Sequence, residues 1–407
     1  MLLGTPVRHK FNDMTTPPAQ SSPHGLVVVG GGPAARAAAL GYRDAGGTGS
    51  VVMLSADVAA PYERPPLSKD FLRGDADAAS LSLGEQDYAS KDITLVLGAE
   101  VAELDTAART VRTTAGDSYS YTACVLATGA APVTLPVPGG DDERVLSLRS
   151  LAQGEALRDA AAAAGSVVVI GSGFIGCEAA ASLAGMGKTV TQVSNETLPQ
   201  VHRLGEDVGR TLAGWLTDAG VTLVGGVTIT GVEGGRRVLL AGHEPIEADL
   251  VLSAVGSYPL GSMAGAAGLD VHDGRVVVDE HLATSADGVW AAGDVVYARN
   301  ATAGRHLAVE HWDDAEAMGT IAGTSAAGGD ATWDTVPGFW SEIGSQFLQY
   351  SAWGDGWDTA RFVDNGEGSF TVWYGQDGTT VGVLTCSADE DDEKGRELIR
   401  TGAPLPG

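Results

Sequence analysis

Cysteine is scarce in this chain. Its 407 residues hold three, Cys124, Cys177 and Cys386, with no CxxC pair and no cysteine–histidine cluster. That pattern argues against a disulfide scaffold and a structural zinc site, and it fits a reducing cytoplasm. The eight histidines show no ligand spacing either, so no metal centre is expected. Apolar runs of the about 18 residues that a membrane-spanning helix needs are also missing. Positive charge is the third shortage. Twenty-five Lys and Arg face 52 Asp and Glu, a net charge of −27. This disfavours nucleic acid and anionic membranes as partners, and solubility or salt adaptation accounts for it. The first 23 residues lack the apolar stretch of a signal peptide and carry Pro17, Pro18, Ser21, Ser22 and Pro23. They are expected to form a disordered leader, with Met14 a second candidate start.

Glycine and small apolar residues are plentiful: 57 glycines in a chain that is 44% hydrophobic. That composition belongs to a soluble α/β protein, and the length suggests two or three domains. The β-branched run Leu26–Val29 predicts a buried parallel strand, halted at Gly30-Gly31-Gly32 and followed by a small-residue helix from Pro33 to about Ala45. Gly30-x-Gly32-x-x-Ala35 is the dinucleotide fingerprint with alanine in its last place. Gly30 permits the tight turn, Gly32 lets backbone approach a pyrophosphate, and Ala35 keeps helix and strand close. The helix N-terminus, with Pro33 and Ala34, then turns free N–H groups and the positive dipole end toward phosphate.

A second strand is expected over Val51–Ser55, with Asp57 a slightly late candidate for a ribose-binding acid. Ala60–Lys69 is too proline-rich for a regular element, and it could fix Arg64 and Lys69 over a cofactor. Residues 93–126 suggest a β-rich meander ending in the small-residue turn Ala127-Thr128-Gly129, and Pro132 to Asp142 suggest a crossover between domains. The second fingerprint, Gly171-x-Gly173-x-x-Gly176, is complete and carries Phe174, Ile175 and Glu178. The strand after it, Thr189–Val193, ends in Ser194-Asn195-Glu196, where an acid is usual at the first place and reads the 2′-hydroxyl of NAD. Ser194 and Asn195 could instead tolerate a 2′-phosphate, with Arg203 or His202 as counter-charge, so NAD and NADP stay open. A further strand runs to Ala254-Val255-Gly256, and another to Gly293-Asp294. A helix is expected from near Leu307, with Glu310, His311 and Trp312 at its start. Five of the eight tryptophans fall after Ala331 and are expected to be core, and the acidic run Asp389–Glu393 suggests a helix start.

Two fingerprints, an Ala-Thr-Gly turn between them and a Gly-Asp after them form a joint pattern. It resembles the flavoproteins with two dinucleotide-binding domains, FAD in the first and NAD(P)H in the second. The loop Arg64-Pro-Pro-Leu-Ser-Lys69 narrows the resemblance to the ferredoxin reductases of oxygenase systems, including those of putidaredoxin, rubredoxin and biphenyl dioxygenase. Apoptosis-inducing factor is a more distant relative. The resemblance covers about residues 25–400. It implies two Rossmann-like domains of the glutathione-reductase type plus a C-terminal α+β domain. The FAD-binding domain would comprise 24–130 and 257–328, the NAD(P)H-binding domain 131–256, and the C-terminal domain 329–407.

The resemblance places the FAD pyrophosphate on Gly30, Gly32 and Ala34, the adenine side near Val101 and Arg149, and the ribityl chain on Asp294. It places Lys69 by the isoalloxazine, Trp312 at the flavin edge, and Glu178 as the partner of Lys69. Lys69, Glu178 and Trp312 are thus the candidate catalytic residues. The family's ribose acid falls at Ala56 by count from Lys69, so Asp57 is displaced by one. No cysteine lies between Gly25 and Thr122, which removes the disulfide reductases and single-cysteine branches. Electrons would leave directly from flavin to a ferredoxin-type iron–sulfur protein, from a monomer or homodimer. Arg36, Arg64, Arg299 and Arg305 could cluster as a docking patch. The alternatives are an NAD(P)H oxidase or quinone reductase, and a slow-turnover redox sensor.

Overall fold

The structure, a computed structural model, describes residues 23–84 and 86–406; the leader and Met14 otherwise lie outside the described residues. Four parallel strands, Ile93–Val96, Val51–Leu54, His24–Val29 and Ser118–Leu126, form the first sheet in that order. Val289–Ala291 returns from much later in the chain to pair parallel with Ser118–Leu126. Leu26, Val27 and Val28 are wholly buried in its centre, as a sheet covered on both faces requires. The antiparallel meander is shorter than expected: it comprises Val101–Asp105, Thr110–Thr113 and Ser118–Leu126, whereas Ile93–Val96 is a parallel edge strand. The burial of Ile93 and its register with Val51 explain that placement.

A second parallel sheet orders Val221–Val224, Thr189–Val193, Ser166–Ile170, Leu250–Ser253 and Val145–Leu146. Both sheets turn into their glycine-rich helices in the same way. Gly30 (φ +143°) lies against the Ala127 carbonyl and Gly171 (φ +109°) against the Ala254 carbonyl, so a Cβ at either position would collide with backbone. Only glycine meets both the positive φ and the close approach. The last described unit is a five-stranded antiparallel sheet, Gly338–Ile343, Gln346–Ala352, Thr379–Cys386, Ser369–Gln376 and Thr359–Gly366 in order, backed by the helix Asp389–Thr401.

Three local expectations need correction. Ala60–Lys69 is not wholly irregular: Pro65–Ser68 is a 3₁₀ turn leading into the short helix Asp70–Arg73, because proline is tolerated where a helix's first N–H groups have no partner. Arg305–Leu307 is a strand hydrogen-bonded to Ala298–Asn300, and the helix starts only at Trp312, so Glu310 precedes it. Asp313 and Asp314, rather than Glu310, occupy its first turn. Of the five late tryptophans, Trp333 and Trp373 are buried, but Trp340, Trp353 and Trp357 are only partly so.

Candidate functional site

One continuous cavity of about 570 Å³ opens between the two glycine loops and the C-terminal sheet. That size lies within the roughly 300–1,000 Å³ of small-molecule and cofactor sites. The first loop contributes Gly32, Pro33 and Ala34, and the proline-rich turn Arg64 and Lys69. Ala127, Thr128 and Gly129 come from the end of the first sheet, and Arg149 and Asp294 from flanking segments. From the second unit come Gly173, Phe174, Ile175, Glu178, Arg203, Ala254 and Gly256; Gly293, Glu310, His311 and Trp312 complete the expected set on the wall. Gly30, Ala35, Gly171 and Gly176 sit behind the wall, at the turns and helix–strand contacts.

Three expected residues are not brought to it. Asp57 accepts from the Tyr62 hydroxyl (3.0 Å) and caps the Ala59 amide, so its carboxylate serves the local turn. Val101 belongs to the antiparallel meander. Ser194 is buried, with its hydroxyl 2.7 Å from that of Ser172.

Lys69 and Glu178 form a buried ion pair at 2.7 Å. The lysine also donates to the Pro65 carbonyl (2.8 Å) and lies 4.9 Å from the Trp340 ring centroid. Glu178 accepts from Ser68 (2.5 Å) and Ser341 (2.7 Å) as well. A buried carboxylate with three charge-matched or hydroxyl donors is a satisfied one. This network ties the first unit, the second unit and the C-terminal sheet at a single carboxylate.

Several other charges at the wall are also paired. Arg149 bonds Asp294. Arg275 donates to the Asp294 carbonyl and to Glu310, which also accepts from Ser257 at 2.5 Å. Burial works to raise the Glu310 carboxyl, but the Ser257 and Arg275 hydrogen bonds outweigh it and hold it below the usual range. Burial, then the neighbouring Arg149, lowers the Arg64 guanidinium from its ordinary value. His311 Nδ1 pairs with Asp314 (3.1 Å), and its ring packs 4.8 Å from Phe339.

The wall fits an anionic dinucleotide at each loop. Helix Pro33–Asp44 and helix Phe174–Gly185 both begin at a glycine with no side-chain cap, leaving their first N–H groups toward the cavity. Both glycines face open space: a Cβ at Gly32 would meet only an Arg64 nitrogen, at 3.8 Å, and one at Gly173 only a Gln200 nitrogen, at 3.9 Å. The buried Arg149 Nε has no hydrogen-bond partner among the described residues, a donor left for a ligand.

No cysteine lines the cavity. All three are free and buried, and burial pushes Cys124 up and Cys177 up to about 12. Such thiols are inert. Among the described residues no cluster of His, Cys, Asp and Glu could hold a metal ion, and no helix is long and apolar enough to cross a membrane.

Ser68, Gln200, Ser257, Arg275, Phe339, Trp340 and Ser341 were not among the expected site residues. Ser68 was legible only as part of the proline-rich loop, and Trp340 as one of a tryptophan cluster. The others carry no local signal, since tertiary packing alone brings them here.

Residues 24–319 match the model of the pyridine nucleotide-disulphide oxidoreductase family. Rhodocoxin reductase of Rhodococcus erythropolis is 32% identical over 93% of this chain and 90% of its own. The ferredoxin–NAD(+) reductase component of the anthranilate 1,2-dioxygenase system of Burkholderia cepacia is 32% identical, covering 93% and 94%. In the solved covalent putidaredoxin reductase–putidaredoxin complex, the matching chain superposes with a TM-score of 0.87 at 28% identity, covering 93% of each chain. The family match over most of the chain and these relatives make the chain a member of the pyridine nucleotide-disulphide oxidoreductase family, in the group that includes these ferredoxin reductases.

Proposed function

We propose that the protein takes hydride from NADH onto FAD and passes electrons singly to a ferredoxin-type iron–sulfur carrier serving an oxygenase. The observation that carries this reading is the cavity joining two dinucleotide-type glycine loops with no thiol on its wall. Residues 24–130 and 257–328 then form the FAD unit, 131–256 the NADH unit and 329–407 the C-terminal unit; the return of Val289–Ala291 to the first sheet supports that division.

When bound, FAD supplies both two-electron acceptance and one-electron release. The residues hold and orient. The first loop and Arg64 receive phosphate, while Asp294, fixed by Arg149, offers its carboxylate to hydroxyl groups. Lys69 keeps a positive charge on the cavity wall, fixed by Glu178 and the Pro65 carbonyl, where it stabilises negative charge developing nearby. Phe174, Phe339 and Trp340 exclude water and orient a flat ring.

NADH is favoured over NADPH. Glu196 lies beside the second loop, accepting from Ser172 (3.0 Å) and from the Gln200 and His202 amides (both 3.2 Å). The His202 ring, an expected counter-charge, is 3.0 Å from the same carboxylate. A 2′-phosphate at this loop would meet a fixed negative charge. Glu196→Gln should narrow the NADH-over-NADPH ratio in kcat/KM by about tenfold, or ~1.4 kcal/mol; an unchanged ratio would remove Glu196 from cofactor choice.

The deciding experiment follows NADH oxidation and oxygen uptake together while ferredoxins of different classes are added. A many-fold acceleration by one of them with little oxygen uptake is expected. Oxygen consumption that accounts for all the NADH, whatever carrier is present, would replace this reading with an oxidase.

A further inference from the structure

The four-residue helix Val201–Leu204 lies between the second glycine loop and the C-terminal unit. A helix cannot satisfy its own last carbonyls, and here two aromatic side chains do so. The Trp357 indole N–H donates to the Arg203 carbonyl (2.9 Å), and the buried Tyr374 hydroxyl to the Leu204 carbonyl (2.9 Å). The two rings touch, with centroids 5.4 Å apart. The Trp357 ring also closes over Gly205 (φ +87°), where a Cβ would stand 3.2 Å from it. At the other end of the helix, the Gln200 and His202 amides bond to Glu196. So short a helix has little stability of its own and is set by these external partners.

What the helix presents to the cavity is Arg203. Its guanidinium lies 5.5 Å from the Phe339 ring centroid and has no ion pair among the described residues. Lys69 and Arg149 are committed to Glu178 and Asp294, and Arg64 stands before the first loop. Arg203 is therefore the cation on the second unit's side of the cavity with charge to offer an incoming anion.

We propose that Trp357, with Tyr374, is a positioning residue for the pyridine nucleotide: the pair fixes Arg203 so that its guanidinium receives the phosphates of NADH. The C-terminal unit thereby sets nucleotide affinity, which rests on the reading of the second loop as the NADH site. The attraction is lost if the helix end swings away, because a charge-assisted contact to phosphate depends on placement.

The test uses the full FAD-loaded chain, with NAD+ affinity from calorimetry and KM and kcat from NADH-driven turnover. Trp357→Phe keeps a ring and removes the N–H. It should raise both Kd and KM by about three- to tenfold, the range of one net hydrogen bond, with kcat within about twofold. Tyr374→Phe, which loses only a hydroxyl, should move the same quantities in the same direction. Arg203→Ala should raise them further, and adding Trp357→Phe to it should add nothing. Unchanged Kd and KM in Trp357→Phe, or effects that multiply with those of Arg203→Ala, overturn the proposal. A purely structural role would lower Tm without separating KM from kcat. If Trp357→Phe does not fold, unchanged values in Tyr374→Phe overturn it equally. Wild-type protein that binds no NAD+ overturns the site reading itself, and this proposal with it.

Discussion

At the scale of residues, Glu178 carries the most. Its carboxylate is buried with Lys69 and takes two further hydroxyl bonds, from Ser68 and Ser341. Taking away one partner strands the other charge. Glu178→Ala should cost about 3–5 kcal/mol in denaturant unfolding, whereas Lys69→Met with Glu178→Leu should cost less than either single change. Glu178→Ala should also slow flavin reduction by NADH at least about tenfold in stopped flow, since Lys69 is no longer held in place. An unaltered rate would remove the pair from the chemistry. Glu310 is the residue whose ionisation links to stability. Its folded pKa is depressed by the Ser257 and Arg275 hydrogen bonds against the effect of burial. Its contribution is therefore present above the ordinary glutamate value, about 4.3, and fades as pH falls through the lower folded value. Wild type should exceed Glu310→Gln by a constant margin at neutral pH, and the two stability curves should converge as pH falls below the ordinary glutamate value and through the lower folded one. A margin that persists into acid would mean that packing, not charge, is what Glu310 supplies.

At the scale of elements, the first glycine loop depends on how its helix is seated. Helix Pro33–Asp44 crosses helix Trp312–Ala326 at Gly319 and Gly323, where a Cβ would collide with the Ala34 and Ala38 carbonyl oxygens. Backbone lies on backbone there, and neither side has a flexible group to yield. Gly319→Ala should destabilise by about 1–3 kcal/mol, seen as a lower Tm. Ala34 lines the cavity beside the loop, so the same variant should release flavin more readily, seen as a rise in free-flavin fluorescence. A lower Tm with full flavin retention would separate the crossing from the site.

At the scale of the whole molecule, the net charge of −27 meets the question of the partner. The four arginines that could cluster as a docking patch lie on different elements. Arg64 lines the cavity, Arg299 pairs with Glu280 and Arg305 with Asp355, and Arg36 lies on the helix Pro33–Asp44 beside Glu316. Without such a patch, an acidic carrier and this chain repel at long range. Salt shortens that repulsion to a Debye length of about 10 Å at 0.1 M. Turnover with an acidic ferredoxin should therefore stay level or rise as salt is raised toward about 0.1 M; a steep fall would reveal a basic docking face that these arginines do not make.

Much of this was legible before any coordinates. The two glycine fingerprints with their strands and helices follow from local pattern, because a glycine turn or a β-branched run is dictated by its own few residues; the gap in cysteines is read directly from the sequence, and the Lys69–Glu178 pair came only with the family resemblance. Tertiary structure decided what depends on distant chain segments meeting. It gave Asp57 to Tyr62, buried Ser194, brought Arg275 to Glu310, and set Trp340 on the cavity instead of in the core. It also placed Trp357 and Tyr374 on the carbonyls of Arg203 and Leu204, more than 150 residues away in the chain. Hydrogen bonds of that span leave no periodicity in a sequence, since each donor and acceptor is chosen by packing and not by its neighbours along the chain.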